Sequence, residues 1–413
     1  MSTKLGFSTL GLSPALSSAV ASMGYTKPTP IQLDAIPVVL QGRDVVGCAQ
    51  TGSGKTAAFI VPTLQRIQHG HGVRALVVTP TRELCVQIEE VARSVAHHTR
   101  HAVVAVYGGV GYEPQAKRVR HGVDMIVATP GRLLDMMNRG DVDLGKVEVL
   151  VLDEADRMLD MGFWPDVKRI VRALPKRRQN LLFSATMSPE VLRVIGDTLS
   201  EPVRVECARA GTTVEGVEQS LYPVAAMQKT ELLIELLKQS GWDKVLVFTR
   251  TKHRADRLAR QLIQRGVNAA PIHGDRSQGQ RQVALAGFKN GKVTVLIATD
   301  IVARGIDVEE ISHVINYDLP NSAEDYVHRI GRTARAGKEG SAVMLMAPEE
   351  EMQLRDIERL IGMTLPTRDL EGFSYAERIV PGEDRNVRKA GRSLAYGGGV
   401  MGRRRRSPSA RRR

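Results

Sequence analysis

The run Ala49-Gln50-Thr51-Gly52-Ser53-Gly54-Lys55-Thr56 follows an apolar stretch at 45–48 and precedes a helical pattern. Its glycines let backbone N–H groups turn inward around a phosphate, and the N-terminus of the following helix adds partial positive charge. In a loop of this kind the Lys55 ammonium reaches the β- and γ-phosphates of a nucleotide, and the Thr56 hydroxyl ligates Mg2+. A glycine-rich turn without a ligand is the plainer alternative; the flanking strand and helix and the Lys-Thr pair weigh against it. The matching half is Asp153-Glu154-Ala155-Asp156, directly after the apolar run 149–152. A buried strand ending in Asp-Glu sets two carboxylates at the C-terminal edge of a sheet, where α/β folds bind their ligands. Asp153 would hold Mg2+, largely through water, and Glu154 would orient and activate an attacking water.

A third stretch, His328-Arg329-Ile330-Gly331-Arg332-Thr333-Ala334-Arg335, puts Arg332 and Arg335 three apart, on one face of a helical turn. Two guanidinium forks so placed would meet a γ-phosphate from the far side of a cleft, where an arginine finger contributes about 10³–10⁵ in rate. Arginine pairs more often end as solvated surface side chains, and the residues by themselves leave that alternative open. No Gly-Lys-Thr loop follows the first apolar run of the second half, 245–248, so one nucleotide site is expected rather than two.

These residues need a scaffold, and the apolar pattern supplies one. Unalternated, β-branched runs fall at 45–48, 75–79, 103–106, 125–128, 149–152 and 181–183, and again at 245–248, 269–272, 293–298, 314–317 and 342–345, with helical patterns between them. Such runs suit strands covered by helices on both faces, and their alternation with helices gives right-handed βαβ units and parallel sheets. Residues 208–219 hold turn formers without a clear period and divide the chain into two similar α/β halves. Near the N-terminus, Ser13-Pro14 starts a short amphipathic helix that Gly24 ends, with Leu16, Ala19, Val20 and Met23 on one face; this is part of the fold and not a secretion signal.

At 413 residues and 42% apolar content the chain has ample material for two cores. Cys48, Cys85 and Cys207 are far apart and lack C-x-x-C spacing, which argues against zinc ribbons and disulfides and for a reducing cytoplasm. The ten histidines show no metal-ligand spacing, and no apolar run is long enough for a membrane span. Residues 385–413 contain eleven Lys/Arg and no Asp/Glu, so removing them from the formal +13 leaves about +2 for the rest. Past about Pro366 the strand pattern stops, and the Gly397-Gly398-Gly399 and Arg-rich end cannot bury enough apolar surface to fold alone.

Taken in order, these motifs resemble the DEAD-box RNA helicases, and among them the bacterial RhlE-like group; the resemblance covers roughly residues 5–365. It implies two tandem RecA-like parallel-sheet domains of the α/β class, at 1–207 and 220–365, a linker at 208–219, and a disordered basic C-terminal tail at 366–413. It implies ATP and Mg2+ as cofactors. Gly24-Tyr25-Thr26-Lys27-Pro28-Thr29-Pro30-Ile31-Gln32 looks like the adenine-reading motif, with Gln32 on the adenine edge and Phe7, seventeen residues before Gly24, stacked on the base. Pro80-Thr81-Arg82-Glu83-Leu84, Gly108-Gly109 and Thr129-Pro130-Gly131-Arg132 resemble RNA-backbone contacts of the first domain. Phe248-Thr249-Arg250-Thr251, Gln278 with Arg281, and Ala298-Thr299-Asp300 resemble those of the second. Ser184-Ala185-Thr186 resembles the element that links hydrolysis to domain closure by bonding back to Asp156, with His328 in the same coupling group. Gly305 and Asp307 of Arg304-Gly305-Ile306-Asp307 would join the nucleotide cleft, and Arg332 and Arg335 match the arginine fingers. Ala334 departs from the usual glycine; if that backbone needs φ > 0, alanine adds strain of about a kcal/mol.

Aromatic content is only 4%, too little for base-stacking platforms. RNA would therefore be read through its sugar–phosphate backbone, without sequence preference, and told from DNA by its 2′-hydroxyls. The implied activity is RNA-stimulated ATP hydrolysis that unwinds short duplexes or remodels RNA–protein complexes, by a cytoplasmic monomer serving ribosome assembly or RNA decay. Alternatives from other classes are an ATP-gated RNA clamp with little unwinding, and a DNA-remodelling enzyme on the same scaffold. The Arg-rich tail would add non-specific RNA affinity.

Overall fold

The computed structural model describes residues 6–49, 53–70, 72–187, 191–193, 196, 198–206, 216–239, 241–300, 308, 311–334, 340–377 and 379. The first half runs α1 (Pro14–Ser22), α2 (Pro30–Leu40), β1 (Val45–Cys48), α3 (Lys55–Arg66), β2 (Ala75–Val78), α4 (Arg82–Ala96), β3 (Val103–Val106), α5 (Tyr112–Arg120), β4 (Met125–Ala128), α6 (Pro130–Arg139), β5 (Val149–Asp153), α7 (Ala155–Asp160), α8 (Trp164–Ala173), β6 (Gln179–Ser184) and β7 (Val203–Glu206). The second half runs β8 (Val217–Pro223), α9 (Lys229–Leu236), β9 (Val245–Phe248), α10 (Lys252–Gln264), β10 (Ala269–Ile272), α11 (Gln278–Lys289), β11 (Val295–Ala298), β12 (His313–Asn316), α12 (Ala323–Ile330), β13 (Gly340–Met346) and α13 (Glu351–Ile361).

Each half is one parallel sheet. The strand orders are β3-β4-β2-β5-β6-β1-β7 and β10-β11-β9-β12-β13-β8. Because side chains alternate across a strand, Val45, Val77 and Phe183 enter a core on one face of the first sheet while Val46, Leu76 and Leu182 enter the other. Val245 and Val247 are likewise separated from Leu246 and Phe248 in the second. Register then places the chemistry. Cys48 pairs with Ser184, and Asp153 with Phe183, so the segments leaving β1, β5 and β6 emerge side by side at one sheet edge. The expected N-terminal helix is present as α1, with the Ser13 side chain accepting from the Leu16 backbone N–H.

Three features depart from the sequence-based expectation. β7 lies outside the expected strands; it is a short edge strand whose Val203 and Val205 face the protein while Arg204 and Glu206 face out. β8 starts at Val217, inside the stretch read as linker, because buried Gln219 and Ser220 break the apolar signal of a strand that pairs along its whole length with β13. The ordered chain also continues past the limit set at 365. Leu221 donates to the Pro366 carbonyl and accepts from Arg368 N–H, and Leu370, Phe373 and Tyr375 pack on the second domain's core. Gln228 ties the same segment down through Ser374 O and Ala376 N.

The second domain contains Trp242 stacked on His313, with ring centroids 4.0 Å apart. Burial pushes the His313 imidazole down to about 4 from its ordinary 6.5. Above the unfolded-chain value the ring is neutral in both states and stability is whole. As pH falls from 6.5 toward 4 the unfolded chain binds a proton that the folded one refuses, and stability declines. With Trp164→Phe leaving Trp242 as sole reporter, its emission should stay flat from pH 7 to 5 and change near 4. A midpoint near 6.5 would show that the stack does not hold the ring neutral.

Candidate nucleotide and RNA site

At the edge where β1, β5 and β6 end, Gly54 sits at φ 90°, the N-cap of α3, and Lys55 opens the helix. The Lys55 side chain is buried, with Nζ donating to the Ala49 carbonyl at 2.8 Å. Gln32 reaches the same loop. Its Oε1 accepts from Thr29 N–H at 3.0 Å and its Nε2 donates to Gly54 O at 3.1 Å. A Cβ on Gly54 would stand 2.5 Å from Gln32 Nε2, so only glycine admits this approach. An amide has two N–H groups and two lone pairs, so one donor and one acceptor of Gln32 remain, the complement of an adenine edge. Phe7 lies in the turn Phe7–Thr9 and is mostly buried in the first core; it offers little open ring.

Asp153 ends β5 with 2% exposure. Burial outweighs the nearby Lys55 and pushes its carboxyl up to about 7. A buried carboxylate short of compensating charge, beside a phosphate loop that supplies Thr56, fits a divalent cation. Glu154 adopts φ 52°, ψ 53°, left-handed backbone that a side chain occupies only at a cost of about 1–3 kcal/mol. Its carboxylate is buried 3.4 Å from Arg157 Nη1. Asp156 Oδ2 accepts from both the backbone N–H and the Oγ1 of Thr186 at 2.9 Å, and Ser184 Oγ accepts from Asp156 N–H. Burial pushes the Asp156 carboxyl up, but Lys55, Ser184, His328 and Thr186 together hold it below its ordinary value. His328 belongs to the second domain, so its charge acts on Asp156 across the domain boundary.

His328 lies in the last turn of α12, and Arg332 follows, almost fully buried. Arg329 anchors this helix: its Nε and Nη2 donate to Asp300 at 2.6 and 2.8 Å, and Nη1 donates to Asn316 Oδ1 and Asp318 O. Ala334 does sit at φ 53°, the left-handed backbone for which glycine is the ordinary choice. Replacing it with glycine relieves about 1–2 kcal/mol of left-handed strain and returns about 0.4–1 kcal/mol of unfolded-chain entropy. Ala334→Gly should therefore raise the melting temperature of this domain by about 2 °C in calorimetry. An unchanged or lower value would show that the pose carries no strain.

On the first domain, Pro80, Arg82, Gly108, Thr129, Gly131 and Arg132 line one open groove of about 380 Å³. Thr81 caps α4 beneath it. Gly109 has φ 80°, and a Cβ there would meet the Arg82 guanidinium at 2.0 Å, so the glycine pair lies flat against that arginine. Phe163 and Asp135 also line the groove, and the motifs gave no sign of either. On the second domain, Thr299 is half-buried at the end of β11, while the Arg250 guanidinium turns to Glu350 at 3.2 Å. Gln278 and Arg281, expected to contact RNA, are buried between the domains. Arg281 Nη2 stands 2.6 Å from Glu83 Oε1, and Gln278 Nε2 3.4 Å from the same oxygen. The first turns of α4 and α11 face each other there, which sequence spacing within one domain does not reveal. Gln50, Thr51, Gly52, Cys207, Gly305, Asp307, Arg335, most of the linker and the Arg-rich tail lie outside the described residues. Among the described residues no group of three or more His, Cys, Asp or Glu side chains forms a metal cluster.

The DEAD/DEAH box helicase family profile matches residues 29–194, and the helicase conserved C-terminal domain matches 228–337. The chain is 41% identical over 396 residues to the DEAD-box ATP-dependent RNA helicase CshA of Bacillus cereus, covering 94% of this chain and 75% of that one. It is 45% identical over 366 residues to the ATP-dependent RNA helicase DeaD of Escherichia coli, covering 88% and 58%. These relatives place it in the family without placing it in the RhlE-like group. Among solved structures, S. cerevisiae Dbp5 bound to RNA and ADP BeF3 overlaps with a TM-score of 0.82 at 31% identity, over 89% of this chain and 96% of that one. A Dbp5 variant bound to Nup159, a Gle1 variant, IP6 and ADP overlaps at only 0.61, with 30% identity over 86% and 95%. The domain arrangement here thus resembles the RNA-bound one. The two profiles, the identity over most of the length and the shared two-sheet arrangement agree: the chain belongs to the DEAD-box family of ATP-dependent RNA helicases.

Proposed function

We propose that this RNA-stimulated ATPase remodels RNA by closing its two domains around ATP and a single strand, and reopening after hydrolysis. The observation that supports this most is the buried pair of Arg281 and Glu83, 2.6 Å apart across the domain boundary, on a chain whose Asp156 accepts twice from Thr186 beside the phosphate loop. Lys55 and the loop's N–H groups hold the phosphates. Glu154 takes the proton of the attacking water, and Arg332 with Arg335 meets charge developing on the γ-phosphate. Thr56 and Asp153 would hold Mg2+ with ATP, largely through water, and the bound ion would neutralise phosphate charge. Asp156, Ser184, Thr186 and His328 transmit the state of the phosphate site to the interdomain surface. The groove of Arg82, Gly108 and Arg132 grips backbone and sets no sequence preference.

We further propose ATP over GTP, with Gln32 reading adenine, and a cytoplasmic monomer acting on ribosomal precursors or decaying RNA. No described helix is long and apolar enough to cross a membrane. The test is strand displacement on a short RNA duplex with ATP or a non-hydrolysable analogue, alongside ATPase stimulation by RNA and by DNA. RNA should stimulate and DNA should not, and multiple turnovers should need hydrolysis. Displacement that never exceeds one round per protein with ATP would assign the chain to the clamp class instead.

A further inference from the structure

A groove of about 410 Å³ opens on the second domain between the start of α9 and the length of α10. Arg254, Arg257 and Gln261 line it from α10, and Met227, Thr230 and Tyr317 from the other wall. Among the described residues no carboxylate lines it. Arg254 and Arg257 are three apart on α10 and share one face, and Arg250, which precedes the helix N-cap Thr251, is tied to Arg254 through Asp318, so the three lead from the end of β9 along α10.

The stripe is held in place from beneath. Asp318, 1% exposed, accepts Arg254 Nη2 at 3.0 Å and the Arg250 backbone N–H at 2.9 Å. Glu350, also buried, takes Arg250 Nη2 on one oxygen and the fully buried Lys229 ammonium, with Ala347 N–H, on the other. The Arg254 guanidinium lies over the Tyr317 ring, 5.7 Å from its centroid, and the Tyr317 hydroxyl is engaged by Thr230 Oγ1. One turn further on, Arg257 is exposed and has no ion-pair partner among the described residues. The one acid of α10, Asp256, is occupied by His273 and Arg276. At the rim, Met227 is 83% exposed.

Fixed cations beside an exposed apolar side chain suit a polynucleotide, which offers both phosphates and the apolar faces of its bases, better than a simple anion. We infer that the α9–α10 groove is a second RNA-backbone site, which takes a single-stranded flank of the same strand after it passes Arg250. This rests on the reading of the core as an RNA track.

The test uses the full chain and an oligouridylate series of increasing length, with affinities measured against salt in the presence of a non-hydrolysable ATP analogue. For the unmodified protein, affinity should keep rising beyond the length that already saturates ATPase stimulation. Arg257→Glu should abolish that rise, weaken the longest oligomer about tenfold, and flatten its salt dependence by about 0.7 for each phosphate no longer neutralised. ATPase stimulation by the shortest active oligomer should be unchanged, which also shows that the variant folds. Equal weakening at every length, or none at any length, overturns the inference. So does a polyglutamate peptide that binds the unmodified protein and not Arg257→Glu while long RNA is indifferent, since the groove would then take an acidic protein. If no oligouridylate stimulates the unmodified ATPase, the reading of the core fails first, and that is seen without the variant.

Discussion

Glu154→Gln is expected to lower RNA-stimulated phosphate release by about 10²–10⁴-fold, the usual worth of a positioned general base. The substitution keeps shape and hydrogen-bonding capacity in a buried site, so the fold should be little affected. Glutamine still accepts from Arg157, whose guanidinium stands 3.4 Å away. It cannot take a proton from water. Closure does not need that proton transfer, so the variant should bind ATP and RNA together and remain closed. RNA release in the presence of ATP should slow, while RNA binding without nucleotide stays the same. The strained backbone at this residue, φ 52°, is retained by either side chain. Turnover within a few-fold of the unmodified protein would remove Glu154 from the chemistry.

Arg281→Ala is expected to raise the Kd for RNA in the presence of an ATP analogue by about 10²-fold, with far less effect on RNA binding without nucleotide. Arg281 and Glu83 are both almost fully buried, with oxygen and nitrogen 2.6 Å apart across the domain boundary. Deleting one member of such a pair costs about 3–5 kcal/mol if the other stays buried. The domains can escape that cost by separating and letting the Glu83 carboxylate rehydrate. The loss therefore falls on the closed state. Glu83→Gln should show a comparable defect from the other side. Combining Glu83→Gln with Arg281→Ala removes both charges and should recover much of the affinity, so the cycle should be strongly non-additive. Additive effects would show that the two side chains do not meet in the active form.

The parallel sheets are readable because buried strands announce themselves as unbroken apolar runs, and all eleven expected strands are present. Those that escape notice lack that signature: β7 is an exposed edge, and β8 carries Gln219 and Ser220 in its middle. The phosphate loop, Asp153-Glu154 and Ser184-Thr186 are legible because each directly follows a strand, and strand order alone brings β1, β5 and β6 together. The contact of Gln278 and Arg281 with Glu83 is not legible, because spacing identifies a motif but not which surface the closed domains turn it towards. Glu83, Arg329 with Asp300, and Lys229 with Glu350 give no local signal, since their partners lie from 29 to 198 positions away in the chain. The anchoring segment after Pro366 is obscured by the polar tail beyond it, although Leu370, Phe373 and Tyr375 supply three apolar contacts.

A catalytic pocket assembled from both domains requires that nucleotide and RNA each tighten the other by the same factor, because both draw on one closing equilibrium. The direct measurement is a pair of titrations, single-stranded RNA with and without a saturating non-hydrolysable ATP analogue, and the analogue with and without saturating RNA. Equal enhancement of both affinities, of order tenfold or more, is the expected result. A nucleotide affinity indifferent to saturating RNA would contradict it.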